Sequence, residues 1–390
     1  MIIDLSKINF GGGGGGETAK LQKKSMTVSS ATATIVPDAG YDGMTKVDVD
    51  ATEYGTSNYN DGVLAQKAKL TEINITENGT YTKEDGYSNV VVDVKAPTEI
   101  DLKTGIKFGQ SSFSAMPYTL ICDSGVTDMK YMFSNCENLT TLDVSNFDTS
   151  NVTNMNRMFE SCINLTTLDL NNFETSNVSD MSYMFSYCKN LTTLDVSNFD
   201  TSKVTTMDTM FYSCESLTTL NVSNFNTNKV SNMHYMFYDC RNLTTLDVSN
   251  FDNSQVTTMD SMFAFCLNLP TLDLSNFNTI NVTNMNSMFT GCRSLTTLDL
   301  SNFNTSKVTN MFYMFGGCSN LTTLDLSNFN TSKVGSMSSM FYACDSLTTV
   351  KVINCDETTK NKILTQLQSD LSSYTWTLGD DGIIRRSETT

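Results

Sequence analysis

From Leu139 the chain reads LTTLDVSNFDTSNVTNMNRMFESCIN, and then it reads nearly the same 26 residues again. Cysteine keeps the beat: Cys136, Cys162, Cys188, Cys214, Cys240, Cys266, Cys292, Cys318 and Cys344 follow one another at intervals of 26. Met-x-x-Met-Phe blocks stay in step, from Met129, Met132 and Phe133 to Met337, Met340 and Phe341. A fixed period of this size without insertions restricts the chain to stacked supersecondary units, each burying its apolar face against its neighbours.

One unit shows what the stack is made of. Leu139, Leu142 and Val144 are spaced to point inward from a short strand, and Phe147 follows them into the core. Val152, Met155, Met158, Phe159 and Cys162 then fall at i, i+3, i+6, i+7 and i+10, the apolar face of a short helix. Thr149 or Ser150 is placed to cap its start. The expected fold is a repeat solenoid with a short parallel strand and a short helix per 26-residue unit, nine units spanning 126–355.

The flanks read differently. Residues 1–20 form an apolar-tipped peptide and a hexaglycine tether, Gly11 to Gly16, that suits docking. Residues 21–52 and 70–97 are expected as two small all-β modules, each with an alternating strand, a polar turn, a Gly-Tyr region and a final strand. Residues 53–69 form a linker with a short helix. Residues 98–125 read as strands capping the open end of the solenoid. Residues 356–390 read as a C-terminal cap: a helix from about Thr358 to Leu371, then a hairpin through Asp380, Asp381 and Gly382. Cys355 stands where earlier units have Phe, so the ninth unit already departs from the rule.

Composition narrows the function. The net charge is −17 and the pI near 4.4, which disfavours a nucleic-acid or anionic-lipid surface. No apolar run is long enough to span a bilayer, and the start, MIIDLSKINF, lacks a basic segment followed by a long apolar one, so no signal peptide is expected. The cysteine column reads as buried free thiols, with Cys122 and Cys355 off register and more accessible. With no CxxC and one histidine, His234, there is neither a zinc site nor a His-based catalytic group. No nucleotide-binding or nucleophile-elbow string occurs. No enzyme activity, cofactor or metal is expected.

Recognition must then be sought in the letters the repeat leaves free. Outward strand positions hardly vary: Thr141 to Thr349 form one column, and Asp143, Asp169, Asp195, Asn221, Asp247, Asp273, Asp299 and Asp325 the next. A uniform acidic column of this kind repels itself, which would raise its folded-state pKa values and could be relieved by calcium; a merely solvated stripe is the plainer reading. Variation lies on the Met side. Tyr131, Tyr183, Tyr235, Phe312 and Tyr313 stand inside Met-x-x-Met, while Tyr187, Tyr212, Tyr238, Phe265 and Tyr342 stand just before the cysteines. Aromatics at positions that packing does not require suit partner binding; the alternative is that they only cover the joints between units.

The strings L-x-x-L-x-[LV]-x-N-F and M-x-x-M-F-x-x-C-x-[NS]-L, over about 126–355, resemble the BspA-like leucine-rich repeats of bacterial surface proteins and of bacteriophage proteins. Asn146 lies two residues after Val144, whereas ordinary leucine-rich repeats place it three after the last leucine. ITENGTYT and PDAGYDGMTKVDV resemble small modules of phage virion proteins. The resemblance implies a non-enzymatic phage structural and adhesion protein, a fibre or appendage located in the virion. Its N-terminal region would bind virion proteins, and its solenoid would bind a host-surface receptor or glycan without inserting into the membrane. The alternative is a BspA-type adhesin on the bacterial cell surface, and homo-oligomer formation stays open. Asn-x-Ser/Thr strings at Asn138, Asn164, Asn190 and elsewhere are by-products of the repeat, since successive units leave no room for glycans.

Overall fold

The structure, a computed structural model, describes residues 124–388, together with Cys122 and six short strands upstream. Those strands are β1 (Ala33–Val36), β2 (Lys46–Asp48), β3 (Gly79–Tyr81), β4 (Val90–Val94), β5 (Glu99–Asp101) and β6 (Thr119–Ile121). The order β1-β4-β3 is antiparallel and β2-β5-β6 is parallel. Pairing therefore crosses the expected boundary between the two β modules: β1 and β2 of the first pair with β4 and β5 beyond it. A two-stranded hairpin alone is marginal, so recruiting a third strand from elsewhere is the physically reasonable outcome. The glycine tether and the linker helix lie outside the described residues.

From residue 126 the chain winds into a solenoid of parallel coils. Eight single-residue bridges, from Asp128↔Asn154 to Asn310↔Ser336, tie nine coils in register. On the leucine side the coils pair as short parallel strands: β7 (Thr219–Leu220) with β8 (Thr245–Leu246), and β9 (Thr297–Asp299) with β10 (Thr323–Asp325) and β11 (Thr349–Lys351). Thr297, Thr323 and Thr349 are mutual partners, which is the 26-residue period expressed as strand register.

The expected helix of each unit is not there. Among the described residues the one helix is α1 (Glu357–Asp370). The Met-x-x-Met-Phe segment is instead a chain of turns: Met132 N–H bonds Met129 O, Ser134 bonds Tyr131, Cys136 bonds Phe133 and Leu139 bonds Cys136, all i to i−3. The intervening N–H groups of Met129, Tyr131, Phe133 and Asn135 donate forward to Asn154, Asn156, Met158 and Glu160 of the next coil. Overlapping four-residue turns put every third or fourth side chain inward, the same spacing as a helix. That is why the apolar periodicity could not separate the two. Thr149 caps no helix; its hydroxyl bonds Glu174 O of the next coil at 2.9 Å.

The core is a set of columns. Phe133 to Phe341 stack at centroid distances of 5.7 to 6.0 Å, and Phe147, Phe173, Phe251, Phe277 and Phe303 belong to a second stack. Each repeat thiol from Cys162 to Cys344 donates to the carbonyl of the Phe 29 residues earlier, at 3.0 to 3.3 Å. Cys122 and Cys355 are buried as well, against expectation. Cys355 fills the Phe position, where its thiol reaches Leu326 O at 3.1 Å. The asparagine after each strand supplies a further ladder: Asn172 Nδ2 donates to Val144 O and Phe147 O at 3.0 and 2.9 Å.

At the C-terminal end, Asp356 caps α1 by accepting Thr359 N–H at 2.6 Å. The hairpin β12 (Tyr374–Leu378) and β13 (Ile383–Glu388) lays β13 antiparallel on β11, giving the sheet order β12-β13-β11-β10-β9. The parallel stack thus ends on an antiparallel edge and a helix, which cover most of the last apolar layer.

Candidate functional site: an aromatic belt on the Met side

The turn chain sets where the aromatics stand. The third residue of the turn 129–132 is Tyr131, at φ 61°, and the third of 133–136 is Asn135, at φ 62°. The pattern repeats down the stack. Tyr183, Tyr187, Tyr235, Phe265 and Tyr313 all lie between φ 56° and 61°, a region bulky residues rarely enter. The ladders on both sides of each turn impose that backbone.

Five of the sequence-selected residues come together. Tyr212 stacks on Tyr238 at 4.7 Å with planes 3° apart, Tyr187 meets Tyr212 at 4.9 Å, and Phe265 meets Tyr238 edge-on at 5.3 Å. Tyr235 stands edge-on to both Tyr212 and Tyr238 at 5.7 and 5.0 Å. Tyr131 and Tyr183 make a second group through Arg157, whose guanidinium lies 3.7 Å from the Tyr183 centroid and 5.7 Å from that of Tyr131. Phe312, Tyr313 and Tyr342 make a third, at 5.2 and 5.6 Å. Glycines separate the first group from the third. A Cβ on Gly291 would sit 2.7 Å from Phe265 Cδ1, and one on Gly316 would strike the Tyr313 ring, so both rings need a bare backbone beneath them.

The rings are only partly spent on each other. Tyr187, Phe312 and Tyr342 stay 38%, 41% and 53% exposed, while the others are half-buried. Burial, the hydroxyl of Tyr187 and neighbouring phenols push the Tyr212 phenol well above its ordinary value; burial and Asp239 raise Tyr238. These phenols are neutral donors at any physiological pH.

Charged residues that the sequence reading passed over frame the belt. Glu215 bridges Lys189 at 2.9 Å and Arg241 at 3.5 Å, and Arg241 also holds Asp239 at 2.7 Å. His234 Nδ1 lies 2.5 Å from Asp260 Oδ2, with its ring edge-on to Tyr235 at 3.8 Å. Burial would raise the Asp260 carboxyl, but hydrogen bonds from His234 and Thr258 more than offset this and leave it below its usual value. The residues after Cys188, Cys214 and Cys240 run Lys189, Glu215, Arg241, and that alternation was the readable signal. The belt is thus an apolar, hydroxyl-edged strip with a charged rim.

On the leucine side an open groove of about 750 Å³ runs over Leu168, Leu194 and Leu220 between the Thr and Asp columns. The outward aspartates are structural there: Asp143, Asp195, Asp247 and Asp299 each accept the N–H of the residue two further on, at 2.9 to 3.0 Å. Among the described residues no cluster of metal-ligating side chains occurs and no helix is long and apolar enough to cross a membrane.

A regular solenoid of short parallel strands, tied coil to coil every 26 residues, defines a repeat protein of the BspA-like kind. Residues 121–193, 187–271 and 264–370 match in tandem the family described as "Mycoplasma protein of unknown function, DUF285", and the chain belongs to that family. Comparison with curated proteins and with solved structures gives no match.

Proposed function

We propose that this is a non-enzymatic binding solenoid of the leucine-rich-repeat type, which presents its aromatic belt to a cell-surface receptor or glycan. The continuous Tyr187–Tyr212–Tyr238–Phe265 strip carries the reading. Tyrosine supplies contact area at low entropic cost, and a fixed ring pays less to bind than a free one. In this reading the protein is a fibre or appendage of a phage virion, held to the particle by its N-terminal region. The resemblance of the repeats and of ITENGTYT to virion sequences supports that placement. The Mycoplasma description of the matching family favours a second reading, an adhesin on a bacterial surface.

Two measurements test this. On a glycan array and on intact bacteria, the combined variant Tyr187→Ser, Tyr212→Ser, Tyr238→Ser should lose binding while keeping its circular-dichroism spectrum. Thr193→Ala, Thr219→Ala, Thr245→Ala on the leucine side should retain it. Loss in the threonine variant alone would place recognition in the groove. Immunogold labelling then separates the locations: label on purified particles supports the virion, label on cell envelopes the adhesin.

A further inference from the structure

Beside the bridge column, each coil hands the next one the same pair of hydrogen bonds. Thr127 O accepts Thr153 N–H and Met129 N–H donates to Asn154 O, both at 2.9 Å. The last pair is Gly335 N–H to Thr309 O at 2.9 Å and Met311 N–H to Ser336 O at 2.8 Å. The coil that ends the column therefore leaves an acceptor, Gly335 O, and a donor, Met337 N–H, facing the C-terminal end. Neither has a hydrogen-bond partner among the described residues.

Helix α1 lies over this end but closes only part of it. Asp370 Oδ2 accepts Phe341 N–H at 2.9 Å, standing in for the carbonyl of an absent coil. In front of Gly335 and Met337 a cavity of about 670 Å³ remains, lined from the helix by Asn361, Lys362 and Gln366. That size suits a ligand site. Met337 is partly exposed there, whereas Met129 through Met311 at its position are fully buried. Lys362 Nζ rests on Thr331 O at 3.0 Å and forms no ion pair among the described residues.

We propose that this notch docks an extended segment of a partner protein carrying an acidic side chain, paired in parallel with the Gly335–Met337 edge. The inference is independent of the aromatic belt. The repeat itself specifies the occupant: two consecutive residues supply the N–H and then the C=O, as Thr153 and Asn154 do. A single trans amide, such as the acetamido group of a sugar, points its N–H and C=O in opposite directions and cannot meet both. A bare carboxylate would satisfy Met337 and Lys362 but would oppose the Gly335 carbonyl. Strand addition to an exposed edge is a general route to peptide recognition, with main-chain bonds giving affinity and side-chain pockets specificity.

The probe is acetyl-Val-Ser-Asp-Met-amide, the string of Val178–Met181, whose Ser179 N–H and Asp180 O fill these roles inside the solenoid. Titrated into the full chain, it should shift the amide resonances of Gly335, Met337 and Lys362 saturably at millimolar concentration. The same peptide N-methylated at serine loses the donor and should bind about tenfold more weakly. Lys362→Ala should weaken binding and flatten its dependence on salt. Equal binding of the N-methylated peptide, the same shifts with sodium acetate alone, or no shifts at all would each overturn the proposal.

Discussion

The Thr201 hydroxyl donates to Asn226 O at 3.0 Å and accepts Asn226 N–H at 2.7 Å, closing a two-way bond between adjacent coils. Thr279 repeats it with Asn304 at 3.1 and 2.8 Å. In the fifth unit Asn253 takes the threonine's place, fully buried, with neither Oδ1 nor Nδ2 partnered among the described residues. Burying an amide unpaired costs about 1–3 kcal/mol. Asn253→Thr is therefore expected to stabilise the solenoid by that order, read as a higher denaturant midpoint. An unchanged or lowered midpoint would mean that a water serves the amide.

The left-handed turn residues give a second test. Ser161 sits at φ 58° and Gly317 at φ 77° at equivalent positions. A side chain in that region costs about 1–2 kcal/mol against glycine. Ser161→Gly should therefore raise the midpoint and Gly317→Ala lower it. Space is not the issue at Gly317, because an added Cβ would come no closer than 3.5 Å, to Gly291 Cα. Opposite signs in the two variants isolate backbone strain from packing.

The period, the inward columns and the aromatic side were all legible in the sequence, because each is a statement about which letters recur. The turn chain was not. Met129, Met132, Phe133 and Cys136 alternate inward at three- and four-residue steps in a helix and in overlapping turns alike, and only the destination of the Tyr131 and Asn135 N–H groups distinguishes them. Nor was the edge-on meeting of Tyr212 with Tyr235, which lie in adjacent coils but at different turn positions. The charged rim becomes visible only when the coils are aligned: Lys189, Glu215 and Arg241 each follow a repeat cysteine, and Glu215 meets the other two across coils.

The thiol column should be inert. Burial pushes Cys188, Cys266 and Cys318 up to about 12 and Cys355 up to about 11, although hydrogen bonding within the stack works the other way. Thiolate is the reactive form, so iodoacetamide at pH 8 should label none of the eleven cysteines in the folded chain and all of them in denaturant. Cys240→Ser should cost about 1–3 kcal/mol, since a hydroxyl replaces a packed sulfur beside Phe211 O. Fast labelling of Cys240 before unfolding would show that the coils open locally.

Acid should weaken the solenoid, the reverse of what repulsion in the Asp column implies. Hydrogen bonds from the hydroxyl and N–H of Ser249 hold Asp247 below its usual value, and repulsion from Asp273 is the least of the influences on it. Asp143 and Asp195 are lowered in the same way by Ser145 and Ser197, and Asp273 and Asp299 by Ser275 and Ser301. A carboxylate whose folded pKa lies below its unfolded value, about 3.9, stabilises the fold above that pH; the contribution is lost as pH falls through the folded value. Melting temperature should thus hold steady from neutral pH to about 5 and drop below about 4. Asparagine keeps the turn, as Asn221 does by accepting Ser223 N–H at 3.1 Å. Asp247→Asn with Asp299→Asn should therefore melt near wild type at neutral pH and lose less at low pH. Millimolar calcium should leave both melts unchanged. A melting temperature that rises toward pH 5, or rises with calcium, would restore the strained-column reading.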